Sequence, residues 1–262
     1  MFKGKMDTPG IPERVFALCK IVENEKTITL QDLKERMEPS YLNQTTSYFG
    51  EYKTAAEELD LIKIEDNTVS LLAAPAVIEN IFEMRKYING RLEYYADGQF
   101  YKVTKQFYDL GDKVFQLGTN VATWGKELSE LTGTSVDEKA MRGWRFWVPF
   151  LGLGYRHEMF VIPNACNFIL DLVNKSELEE NQLYSFNDFI SALRPYCNIV
   201  IPGDITNRTL NYGVSAGLRT LHDNKIIKLE HIMDQEAWCI YPMPGHSIED
   251  TVTSVSILRR NK

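Results

Sequence analysis

Apolar residues recur at helical spacing in three stretches of the chain, and segments typical of short strands follow each stretch. The clearest stretch is 138–163, in which a helix, a glycine-containing turn and a strand are predicted in that order. The apolar positions of this helix lie at steps of three, four and three, and therefore on one face. These positions are Met141, Trp144, Val148 and Leu151. Gly152 follows, and glycine readily takes the left-handed conformation that ends a helix.

The same order of elements is predicted twice more. Residues 48–59 form an apolar stripe and precede two β-prone segments, and residues 210–221 do the same. The β-prone segments are 61–65 and 68–72 in the first case, and 225–230 and 236–241 in the second. A helix that leads into a β-hairpin is the second half of a winged helix. The pattern therefore predicts a mainly α fold with short β-hairpins, organised as tandem winged-helix (helix-turn-helix) modules.

An internal similarity supports repeated modules. Residues 27–33 and 183–189 each combine a short β-prone segment with a polar pair ending in aspartate and an amphipathic helix. The helix predicted before the first copy begins at Pro12, and the helix after it is capped by Thr45 or Thr46. In the third module, the corresponding last helix is predicted from Ile205 to about His222.

Turn residues set the expected boundaries. The predicted organisation is winged helix 1 at 1–75, a connecting helix at 76–98, winged helix 2 at 99–163, winged helix 3 at 164–245 and a polar tail at 246–262.

The outward face of the last helix in each module indicates what that module binds, because a winged helix on DNA places this helix in the major groove. In the first module this face carries Glu51, Thr54 and Glu58. Two carboxylates would be repelled by phosphate, so a protein interface is predicted there.

The other two faces predict contacts with double-stranded DNA. The second module presents Lys139, Arg142 and Arg145, with Arg156 and His157 at the start of the following strand. The third presents Arg208, Asn211, Ser215 and Arg219. Arginine, asparagine and serine bind phosphate or base edges. The open alternative is that these are ordinary solvated helix faces.

Composition argues against some classes of protein but does not assign a function. The 262-residue chain has a formal net charge of -7 and a pI of about 5.3, which argues against a surface that is basic throughout but leaves room for local basic faces. Its four cysteines are far apart, without C-x-x-C spacing. Neither a signal peptide nor an apolar run of about 18 residues is present, so a cytoplasmic protein without a membrane partner is predicted.

Chemical motifs are weak. The four histidines are scattered, and Gly152-x-Gly154 lacks the third glycine and the following helix of a phosphate-binding loop. We therefore expect a protein without enzymatic activity, cofactor or metal site.

Three segments resemble tandem winged-helix proteins: the helix-to-wing junction at 59–64, the run at 144–154, and 221–229. The chain is similar to winged-helix accessory proteins encoded in bacterial phage-defence and DNA-modification gene clusters. It more distantly resembles the kleisin-interacting tandem winged-helix subunits of SMC complexes, although three modules are predicted here and those subunits have two.

The resemblance implies a DNA-binding or DNA-sensing adaptor within a multi-subunit bacterial defence or genome-maintenance assembly. Its partners would be DNA and protein subunits of the same assembly, or a second copy of the chain. The alternatives are a pure protein scaffold and a transcription regulator that binds an operator.

Overall fold

The computed structural model describes residues 1–6, 10–42, 47–202, 207–246 and 248–260. The fold is mainly α, with short antiparallel strands. The helices are α1 Pro12–Glu25, α2 Leu30–Met37, α3 Phe49–Glu58, α4 Ile81–Asn89, α5 Gln99–Asp109, α6 Gly125–Thr132, α7 Glu138–Phe150, α8 Cys166–Lys175, α9 Phe186–Cys197 and α10 Tyr212–Asp223. The strands are β1 Thr27–Thr29, β2 Ile62–Glu65, β3 Thr68–Leu71, β4 Gly154–His157, β5 Phe160–Pro163, β6 Leu183–Ser185, β7 Ile227–Glu230, β8 Trp238–Cys239, β9 Thr251–Val252 and β10 Ser254–Ile257.

The first unit comprises α1 to β3. Its elements follow the order helix, strand, helix, helix, strand, strand, and its sheet has the strand order β1-β3-β2. Thr29 caps α2 by accepting a hydrogen bond from the backbone N–H of Asp32. Residues 43–46, including the predicted caps Thr45 and Thr46, lie outside the described residues.

The segment from 75 to 98 is not the continuous helix that the sequence predicts. It consists of a 3₁₀ turn at Pro75–Ile78, the helix α4 and a second 3₁₀ turn at Leu92–Tyr95. The side chain of Asn80 accepts hydrogen bonds from the N–H groups of Phe82 and Glu83, and so starts a new helix where continuous periodicity was expected.

The second unit contains α5, α6, α7 and the hairpin β4–β5. Gly152, with φ of 72°, ends α7 in the left-handed region. A side chain there would collide with Asn167 and the backbone of Phe168, since a Cβ would lie 2.6 Å from each. The hairpin pairs Gly154 with Pro163 and forms a sheet of its own.

The third unit runs from α8 to β10 and follows the element order of the first, with β8 and β9 inserted before its last strand. Its sheet has the order β6-β10-β7, and β8 pairs with β9 in the long connection between β7 and β10. Ser185 caps α9 as Thr29 caps α2, by accepting from the N–H of Asp188. The internal similarity between 27–33 and 183–189 thus corresponds to equivalent positions in the two units.

The prediction of a polar tail at 246–262 is wrong. Val252, Val255 and Ile257 are buried, and β10 is the central strand of the third sheet. The second strand of the predicted hairpin, 236–241, does not pair with β7. It contains β8, which pairs with β9. The connection between β7 and its partner β10 is so long that a local sequence pattern cannot predict this pairing.

One continuous hydrophobic cluster joins all the units, from Met1 to Ile257. Phe2 packs between the rings of Tyr95, Phe100 and Trp147. The indole N–H of Trp147 donates to the backbone oxygen of Gly10 at 2.5 Å. Each unit therefore buries part of its surface against its neighbours.

Candidate nucleic-acid interface

Helix α7 has a buried face and a basic face. Asp137 caps its N-terminus by accepting from the N–H of Ala140 at 2.7 Å. Met141, Trp144 and Val148 are buried, as their spacing predicts. Trp144 is also fixed by its indole N–H, which donates to the hydroxyl of Thr104 at 2.9 Å. The opposite face carries the exposed Lys139 and Arg142 and the half-buried Arg145.

Arg142, Arg145 and Arg156 form what we call the arginine cluster. The guanidinium carbons of Arg145 and Arg156 lie 5.2 Å and 5.5 Å from the ring centroid of Phe146. Both cations therefore share one aromatic ring, which is a favourable arrangement for each of them. The cluster joins the exposed face of α7 to the first strand of the hairpin.

The positive charges of Arg145 and Arg156 in this cluster are poorly compensated. Among the described residues, neither Arg145 nor Arg156 has a carboxylate oxygen within 4.0 Å. Burial, together with the like charges of Arg156 and Arg142, lowers the pKa of Arg145. The Nε of Arg145 is buried without a hydrogen-bond partner in the described structure. An arrangement that holds like charges together is suited to binding an anion between them.

Two carboxylates limit the positive surface. Glu138 forms a salt bridge with Arg142 one turn later on α7. Glu158 is exposed in the hairpin turn, where its φ is 53°. The part of the basic surface without carboxylate partners among the described residues thus consists of Arg145 and Arg156, on either side of the Phe146 ring.

The face predicted on the third unit is not a basic face. Asn211 is the N-cap of α10, where its side chain accepts from the N–H of Val214, so Arg208 and Asn211 precede the helix. Arg208 has a φ of 48° and pairs with Glu236 at 2.7 Å. The predicted helix start at Ile205 lies outside the described residues.

Ser215 and Arg219 were predicted to face DNA, and both are fully buried. The hydroxyl of Ser215 accepts from the N–H of Tyr241 at 2.8 Å. Arg219 donates to the backbone oxygens of Ile248 and Tyr241, and to Asp250. The prediction is wrong because the connection between β7 and β10 folds over this face of α10.

The predicted protein-binding face of α3 is partly covered by the chain itself. Glu58 has a side chain only 13% exposed, and it accepts hydrogen bonds from the amino group of Met1 at 2.5 Å and the N–H of Phe2 at 2.7 Å. Its predicted role at an outward interface is therefore wrong. Glu51 and Thr54 line a cleft of about 340 Å³ that also contains Met1 and Lys5.

Sequence spacing did not identify one other polar centre, built around Asp171. Arg85 of α4 forms two hydrogen bonds with the buried Asp171 of α8, at 2.8 Å and 2.9 Å. The amide of Asn89 donates to the same carboxylate and to the backbone oxygen of Leu151. These residues lie on elements distant in sequence, and the visible signal was only an acidic residue within the apolar run of α8.

Among the described residues, no group of three or more histidine, cysteine, aspartate or glutamate side chains is placed to hold a metal ion. The same part of the chain contains no helix long and apolar enough to cross a membrane.

Comparison with known proteins assigns no family to this fold. No protein-family model matches the chain, and neither a curated protein nor a solved structure matches it significantly.

Proposed function

We propose that this chain is a non-enzymatic, cytoplasmic adaptor of winged-helix units that binds double-stranded DNA through α7 and the β4–β5 hairpin. The order of elements supports the winged-helix part of the proposal. The first unit has the order helix, strand, helix, helix, strand, strand, and the third has the same order once the small β8–β9 pair in its connection is set aside. In both units the last strand lies in the centre of the three-stranded sheet. The second unit has three helices and a hairpin without the third strand.

The observation that carries the DNA part is the arginine cluster around Phe146. Of the three helices that precede a hairpin or sheet, α7 alone keeps exposed basic residues among the described positions predicted to face DNA. Arginine binds phosphate through a planar set of donors, and several arginines on one surface follow a phosphate backbone. In this proposal α7 approaches the major groove, and Arg156 on the hairpin holds the adjacent phosphates.

The decisive experiment compares duplex-DNA binding by the wild type and by Arg145→Gln with Arg156→Gln. Fluorescence anisotropy at two salt concentrations gives the affinity and its salt dependence. Each lost phosphate contact should lower the magnitude of the slope of log K against log salt by about 0.9. The double variant should lose roughly two phosphate contacts, and its slope should fall by about 1.8. Melting temperature verifies that the variant is folded.

Two controls separate a local site from general charge. Arg36→Gln with Arg208→Gln also removes two positive charges, but the exposed Arg36 and the half-buried Arg208 are already paired with carboxylates. This variant should bind nearly as the wild type does, whereas Glu138→Gln should bind more tightly, because Arg142 loses its carboxylate partner. Equal losses in the two arginine double variants would contradict a site on α7.

A protein scaffold is the second candidate, and exposed apolar residues in the first unit favour it. Tyr41 and Leu42, after α2, are 76% and 73% exposed. Absence of DNA binding by the wild type at low salt would favour this function. The partners that we propose remain protein subunits of a defence or genome-maintenance assembly, or a second copy of the chain.

A further inference from the structure

A cleft of about 570 Å³ lies between the connecting segment and the third unit. None of the residues that line it is a residue predicted to contact DNA. Its walls come from the 3₁₀ turn at Pro75–Ile78, from α4, from α8 and from Arg260. This volume is in the range of small-molecule sites. Val77 and Tyr87 supply apolar and aromatic surface, and Lys175 and Arg260 supply positive charge.

The two carboxylates that line the cleft are already neutralised. Asp171 forms the two hydrogen bonds with Arg85, and Glu83 pairs with Lys86 at 2.7 Å. Neither is therefore an unpaired negative charge that would exclude an anion.

The charges of Lys175 and Arg260 are not neutralised in this way. Lys175 donates to the backbone oxygen of Gly90 at 3.1 Å, and Arg260 donates to the backbone oxygens of Asn174 and Ser176 at 3.1–3.2 Å. Among the described residues, no carboxylate oxygen lies within 4.0 Å of either cationic group. Backbone oxygens orient the two groups, and the ring of Tyr196, with its centroid 4.1 Å from Nζ, also holds Lys175. These neutral partners do not cancel the positive charges.

Two further features make the site more specific. Burial and the positive charge of Arg91 lower the pKa of Lys175, so several cations act on the same region. The side-chain oxygen of Asn174, which lines the cleft, is buried without a hydrogen-bond partner in the described structure. A buried acceptor normally has a partner, and a ligand with an N–H or O–H group would provide one when the Asn174 side chain turns towards the cleft.

We propose that this cleft binds a small phosphorylated ligand, with the phosphate held by Lys175 and Arg260 and a donor group directed to Asn174. A nucleotide has these groups and is of suitable size. Because α4 and α8 both contribute to the cleft, the bound ligand would strengthen the contact between the connecting segment and the third unit.

The test uses calorimetric titration of the full chain with AMP, inorganic pyrophosphate and adenosine. AMP and pyrophosphate should bind with dissociation constants of about 1 mM or below, and adenosine much more weakly. Asn174→Asp keeps the shape of the side chain but adds a negative charge, so it should weaken AMP binding at least about tenfold. Lys175→Gln should weaken it to a similar extent.

Matched controls identify the cleft as the site. Lys34→Gln with Lys126→Gln removes two exposed charges elsewhere, and the Arg145→Gln with Arg156→Gln variant removes the arginine cluster. Both should bind AMP as the wild type does, whatever their behaviour towards DNA. The proposal is overturned if neither phosphorylated probe binds, if adenosine binds as tightly as AMP, or if the Asn174 variant, with unchanged melting temperature, retains full affinity.

Discussion

Two arginines at the same kind of position have opposite environments in this protein. Arg145 and Arg219 both lie opposite an apolar stripe on a helix that precedes a strand, and spacing predicts that both face outward. Arg145 is half-buried against Phe146 with no carboxylate partner among the described residues, whereas Arg219 is enclosed and its terminal nitrogens donate three hydrogen bonds. Helical spacing gives the direction of a side chain, but it does not reveal what distant segment covers it.

Arg219 should therefore matter for stability rather than for DNA. Replacing it by methionine leaves the backbone oxygens of Ile248 and Tyr241 without donors, which should lower the free energy of unfolding by roughly 2–4 kcal/mol. Urea unfolding measures the loss. Arg208→Met, at a half-buried surface position, is the matched control, expected within about 0.5 kcal/mol of the wild type. An Arg219 variant as stable as its control would show that the buried contacts contribute little.

At the scale of single elements, the sequence predicts the buried faces of helices better than it predicts which strands pair. The buried faces of α1 and α7 follow directly from their spacing, since a helix of fixed period must turn the same residues inward. The partner of β7 lies more than twenty residues away, and local pattern favoured the nearer segment at 236–241. Asn80, Asn211 and Asp137 also fix helix starts that periodicity alone misplaces or leaves open.

The central position of β10 gives a direct test of the third unit. Ile257 is fully buried and pairs with Ile227, so Ile257→Ala should lower the free energy of unfolding by about 2–5 kcal/mol. Leu258→Ala, at a half-buried position beyond the strand, provides the control and should cost less. A thermal or urea transition unchanged in the Ile257 variant would mean that the segment after residue 246 is dispensable for folding.

At the scale of the whole molecule, the three units pack against one another. Residues of the first six positions pack on the second unit through Phe2 and Trp147, and α4 is joined to α8 through Arg85 and Asp171. This packing covers part of α3 and supports the back of α7. The sequence predicts the repeated elements, because each has its own local pattern. It does not predict which face remains accessible, because that depends on contacts between residues far apart in the chain.

The accessible face of α7 is the central claim, and hydrogen–deuterium exchange with and without duplex DNA at low salt tests it most directly. DNA should slow backbone exchange in residues 138–157, which include the arginine cluster, and leave α3 and α10 unchanged. Protection confined to α3 or α10, or DNA binding without any protection of 138–157, would contradict the account.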